Sequence, residues 1–188
     1  MGAPAEFPRR ALTVEDFHLM GEAGILQPGE RVELIEGELL AMAPIGGRHF
    51  NAVNLLTEWL VTAVGPNAVV SVQGPVVLKP TSEPQPDLLL LRPECRGRPV
   101  LPGPEDVLLA IEVADTTLRF DRTVKARLYA KHGVPELWIV DVEGQVLLRH
   151  LGPSGESYAA VTEHRTPTSV AARLLPAACV ELATLFGR

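Results

Sequence analysis

The chain has 188 residues, 46% of them hydrophobic but only 5% aromatic. That length suits one domain burying roughly 70% of its unfolded surface around an aliphatic core, and the composition excludes a disordered chain. No apolar run is long enough to span a bilayer, and a net charge of −6 argues against coating nucleic acid through charge alone.

The N-terminal MGAPAEFPRR lacks the apolar core of a secretory signal. Cys95 and Cys179 are far apart and form no framework or paired motif, so a cytoplasmic location is expected. With no repeat or dividing linker, residues 1–188 read as a single domain, residues 1–12 being a loosely ordered extension.

Thr13 with Asp16 marks an N-cap opening a helix over 13–23, with Val14, Phe17 and Met20 as its buried stripe. The stretch RVELIEGELLAMAP reads as a hairpin, with strands near 31–35 and 38–43 and Glu36-Gly37 at the turn. Phe50, Val53, Leu56, Leu60 and Val64 recur at helical spacing until Gly65-Pro66. Residues 68–79 are β-rich, interrupted at Gly74-Pro75, and so form one bulged strand or two.

Asp87 to Leu91 is short and apolar, as a strand buried on both faces would be, and 107–113 (VLLAIEV) is a second such strand. Phe120 to His132 reads as a helix closed by Gly133 and Pro135. ELWIVDV, a turn at Glu143-Gly144 and QVLLRHL follow as strand, turn and strand. SYAAVTEH is one more strand, and CVELATLF a short C-terminal helix. The fold class is α/β, a central mixed β-sheet flanked by α-helices.

Two acids fall on the two buried strands. Asp87 begins one of them, after Pro86, and Glu112 lies near the end of the next. Antiparallel pairing in a register setting 87 against 112 and Leu91 against Leu108 brings both carboxylates to one face. Like charges placed so repel, and burial penalises them further. A bound Mg²⁺ or Mn²⁺ would compensate, since hard cations take carboxylate oxygens.

Lys125 is the third member. The helix after Glu112 holds Arg122 and Lys125 at i, i+3 in its first turns. The stretch Arg119 to Lys131 carries Arg119, Arg122, Lys125, Arg127 and Lys131 against Asp121, five minus one, a local +4. An ammonium there could activate water or neutralise charge on a phosphate, with Arg119 or Arg122 holding backbone phosphates. Two acids, a lysine and a basic helix suit phosphodiester hydrolysis.

Each residue also has a plainer reading. Asp87 alone reads equally as a strand-opening residue after proline, Glu112 as half of a structural salt bridge with Arg122 or Lys125, and Lys125 as a solvated helix residue. Trp59 and Trp138 read as core.

The order VELIEGEL, HFNAVNLL, PQPDLLLL, AIEVADTT and FDRTVKARLYAKHGVPELWIVD resembles the Uma-type family of endonucleases, over about Thr13 to Leu151. That family belongs to the restriction-endonuclease-like superfamily with the PD-(D/E)XK motif. The resemblance implies that Pro86-Asp87 opens the motif and that Glu112 is its second acid. Ala114 stands where the superfamily's lysine usually lies, and the resemblance implies that Lys125 supplies it from the following helix. Asp115 stands where the family tends to have Ser. Glu33 and His49 also match favoured positions, and with Asp115 they form an auxiliary set. Glu33 shares its hairpin with Glu36 and Glu38, so an exposed charged strand face is an equal reading. His49 reads equally as a residue flanking a helix start.

The implied function is a Mg²⁺- or Mn²⁺-dependent nuclease acting on DNA, with Asp87 and Glu112 binding metal. A homodimer accords with it, because nucleases of this fold that cut both strands often pair. The rival is a catalytically degenerate module of the same fold binding nucleic acid or protein.

Overall fold

The computed structural model describes residues 10–27 and 29–187, so most of the expected extension over 1–12 lies outside the described residues. The chain divides into two compact units, residues 1–43 with 77–84 and residues 44–76 with 85–188.

In the first unit, helix α1 (Val14–Glu22) starts at a complete capping box, Thr13 Oγ1 accepting from the Asp16 N–H and the Asp16 carboxylate accepting from the Thr13 N–H. Val14 and Phe17 are buried, whereas Met20, expected in the same stripe, is only half-buried. Strands β1 (Val32–Ile35) and β2 (Glu38–Ala41) form the expected hairpin. Glu36 and Gly37 both take positive φ, 49° and 84°, as a two-residue type I′ turn requires. A Cβ at Gly37 would collide with Ala11, so glycine is needed there for space as well.

The second unit is built on a six-stranded sheet. Helix α2 (Gly47–Val64) precedes β3 (Val69–Val72), β4 (Leu88–Leu91) and β5 (Val107–Ala114). Helix α3 (Leu118–Phe120), a π-helical turn (Asp121–Lys125) and α4 (Ala126–Lys131) lead to β6 (Glu136–Asp141), β7 (Val146–Ser154) and β8 (Ser157–His164). Strand order is β3-β4-β5-β6-β7-β8. Neighbours are antiparallel except β5 and β6, and that parallel pair needs the crossover which the α3–α4 segment provides. The C-terminal stretch expected as a helix is instead strand β10 (Cys179–Glu181), paired with β9 (Ser169–Ala171), followed by the single turn α5 (Leu182–Leu185).

Alternation along the strands sorts the sheet into two faces. Leu88, Leu90, Ile111, Val113, Trp138, Val140 and Leu147 turn one way and pack with Ala52, Val53, Leu56, Leu60 and Val64 of α2. Phe50 was expected in that helical stripe but is 61% exposed; Ala52 takes its place in the core. The opposite face carries Glu112, whose strand neighbour Ile139 pairs in turn with Leu148. Helix α4 lies against β7 and β8.

Strands β4 and β5 pair antiparallel with Leu88 opposite Ile111, the expected register at this end; continued one step, it would align Asp87, just before β4, with Glu112. At the other end a bulge between Leu90 and Leu91 puts Leu91 opposite Val107, in place of the expected Leu108. An extra residue in one strand shifts the register only beyond itself, so the acidic end is untouched.

Candidate functional site

Asp87 is held at the mouth of β4, and its carbonyl accepts from the Gln73 N–H at 2.9 Å. Its side chain is almost entirely enclosed and engaged at both oxygens. Oδ2 accepts from the Val113 N–H at 2.8 Å, and Oδ1 lies 2.9 Å from Nε2 of His49, in the first turn of α2. With Nε2 donating to an ionised Asp87, a neutral imidazole has its lone pair on Nδ1. Among the described residues that Nδ1 is buried without a hydrogen-bond partner.

Glu112 belongs to a strand buried at every position. Its Oε1 lies 3.1 Å from Lys125 Nζ and accepts from the Tyr129 hydroxyl at 2.7 Å. Both donors come from the crossover helix, four residues apart and so on neighbouring turns of one face. Lys125 is 5% exposed and Tyr129 wholly buried. An ammonium and a carboxylate so enclosed depend on each other, and removing one partner of such a pair costs about 3–5 kcal/mol. Lys125 thus offsets the charge of Glu112, while His49 and a backbone N–H give Asp87 hydrogen-bond partners.

Arg122 and Lys125 do not share a face. Arg122 is exposed while Lys125 points inward. The residues from Asp121 to Lys125 are π-helical, and a π turn advances less per residue than an α turn, so positions three apart diverge. Arg119 is exposed on α3, its carbonyl accepting from Thr123. Asp115 follows β5 and is tied to α2, its Oδ1 accepting from Arg48 Nε at 3.1 Å and Nη2 at 2.7 Å. Glu33 lies in the first unit, on β1 opposite Leu40, and is buried, not part of an exposed charged face. Trp138 is core as expected, with Nε1 donating to buried Glu136.

Asp87, Glu112, His49 and Lys125 thus lie in the second unit, just before β4, on β5, on α2 and on the crossover helix. Sequence reading missed Tyr129 and Arg48. Tyr129 could have been found from its i, i+4 spacing to Lys125; Arg48 carries no such signal, because its partner Asp115 is remote in the chain. The oxygen donors present are those a hard cation would use, though among the described residues no three His, Cys, Asp or Glu side chains gather as a metal-binding group. Among those residues, too, no helix is long and apolar enough to cross a membrane.

The structure is similar to the crystal structure of a protein from Anabaena variabilis described as a "putative nuclease belonging to DUF820". The TM-score is 0.72 at 14% identity, covering 94% of this chain and 98% of the other, and the fold is accordingly restriction-endonuclease-like. No curated protein matches the chain. The model of the Uma2 family, described as "Putative restriction endonuclease", matches residues 14–183, and the chain therefore belongs to that family.

Proposed function

We propose that the chain is a Mg²⁺- or Mn²⁺-dependent endonuclease hydrolysing phosphodiester bonds in DNA, with Asp87 and Glu112 holding the metal. The observation that carries this reading is a pair of buried carboxylates, Asp87 just before β4 and Glu112 on the neighbouring β5, the latter bound by a lysine from the crossover helix. Two carboxylates fit Mg²⁺, which is commonly bound through one or two of them, with waters and substrate phosphates completing its shell. When bound, such an ion activates water and offsets charge on the phosphoryl group.

The protein's own groups do the rest. As an ammonium, Lys125 orients the attacking water or neutralises charge developing on the phosphate. The exposed Arg119 and Arg122 hold backbone phosphates. His49 orients Asp87, while Asp115 remains auxiliary. Cutting both strands calls for paired sites, so a homodimer is the expected working form. Free thiols at Cys95 and Cys179 suit a reducing cytoplasm.

A second reading has its own support. Asp87, Glu112 and Asp115 are already engaged by protein partners, as in a degenerate site kept for its fold and used to bind nucleic acid or protein. Cleavage of labelled single- and double-stranded DNA at low salt with Mg²⁺ or Mn²⁺ separates the two. Metal-dependent cutting, abolished in Glu112→Gln with an unchanged circular dichroism spectrum, is the expected result. Full activity in that variant would remove Glu112 from the chemistry, and salt-sensitive binding without cutting by either protein would favour the binding module.

A further inference from the structure

We infer that Tyr129 is a positioning residue that sets the orientation of the Glu112 carboxylate for a divalent cation and limits the hold of Glu112 on Lys125. The inference rests on reading Glu112 as a metal ligand. A wholly buried phenol needs a partner for its hydroxyl, and here that partner is Oε1 of Glu112 at 2.7 Å. The same oxygen is approached by Lys125 Nζ at 3.1 Å.

Two consequences follow from the shared oxygen. A glutamate leaves its strand on three rotatable bonds, and β5 fixes only where the side chain starts. A phenol and an ammonium from one helix, converging on a single oxygen, fix the plane of the carboxylate. A carboxylate oxygen that accepts from two donors also binds each less tightly than it would bind one. The Tyr129 hydroxyl thereby weakens the claim of Glu112 on Lys125 and leaves the ammonium more available to a phosphate. Asp87 is held differently, with His49 Nε2 at Oδ1 and the Val113 N–H at Oδ2.

The protein contains its own control. Of its two tyrosines, Tyr158 is also buried, but its hydroxyl donates to the Val134 carbonyl at 2.9 Å and touches no acid of the site. Either Tyr→Phe change removes a buried hydroxyl, but only Tyr129→Phe deletes a hydrogen bond to Glu112.

The test is calorimetric titration of Mn²⁺ into the wild type, Tyr129→Phe, Tyr158→Phe and Glu112→Gln without nucleic acid, followed by steady-state cleavage of duplex DNA. Expected are one site in the wild type, its loss in Glu112→Gln, wild-type affinity in Tyr158→Phe, and affinity about tenfold or more weaker in Tyr129→Phe. In cleavage, Tyr129→Phe should lose kcat at unchanged KM. Wild-type affinity in Tyr129→Phe, with binding lost in Glu112→Gln, would overturn the role of Tyr129 and leave the metal site standing. Equal weakening in both Tyr→Phe variants would reduce Tyr129 to ordinary packing and overturn it as well. Absence of Mn²⁺ binding by the wild type would overturn the metal site, and this role with it.

Discussion

Glu112 and Glu136 are both buried carboxylates, yet their partners differ in kind. Glu136 accepts from Trp138 Nε1 and Arg149 Nε at one oxygen and from the Arg173 N–H at the other, which ties β6 to β7 and to the C-terminal segment. Glu112 takes its charged partner from a crossover helix, beside a second acid. His150 shows another cost of burial. It packs edge-on to Tyr158 with ring centroids 5.6 Å apart, and among the described residues its Nδ1 has no partner. Burial pushes its pKa below the ordinary imidazole range, Arg122 acts in the same direction, and backbone hydrogen bonds at Leu148 and Leu137 oppose them. The unfolded chain therefore binds the proton more readily. Stability is fully present above about pH 6.5, the ordinary imidazole value, and is lost as pH falls through it toward the lowered folded pKa. Thermal melts across neutral to mildly acid pH should show His150→Gln losing less stability than the wild type. Some slope should remain through His164, which burial and Arg149 also lower. Parallel melting curves would show that His150 takes no part.

At the scale of elements, helical periodicity named α2 correctly but overcounted its buried face. Phe50 fits the spacing arithmetically, but α2 begins at Gly47, and in its first turn the ring stands mostly in solvent. Phe50→Ala should thus cost under about 1 kcal/mol in denaturant melts. Leu60→Ala, at a fully buried position, should cost about 2–5 kcal/mol through lost transfer energy and a cavity. Similar losses at both would mean that Phe50 is buried in solution. The crossover helix and the β4–β5 pair teach a related lesson. A π turn and a bulge each alter a period partway along an element, and single-sequence periodicity assumes that it is constant. Arg122 was therefore assigned to the face of Lys125, and Leu91 to the wrong partner.

At the scale of the whole molecule, an acidic chain carries a local basic run, and on the proposed function its binding to DNA should be strongly salt-dependent. If Arg119 and Arg122 hold phosphates, replacing both with Gln should reduce the slope of log K against log salt by roughly 2, at about 0.9 per phosphate contact. Fluorescence anisotropy at several salt concentrations measures this, and an unchanged slope would take both arginines off the phosphate backbone. The first unit is assembled from two separate stretches, 1–43 and 77–84, so no single linker in the sequence announces it. By itself the sequence determined the capping box at Thr13, the type I′ hairpin at Glu36-Gly37, both buried strands, their antiparallel pairing near the acids and the candidate trio Asp87, Glu112 and Lys125. These follow from local chemistry and from periods that hold within one element. Tertiary structure alone decided that Tyr129 joins Lys125 on one oxygen of Glu112, that His49 meets Asp87 and that Arg48 takes Asp115. Those contacts join residues brought together only by packing of the sheet and its helices, and a buried charge takes whichever donor the packing delivers.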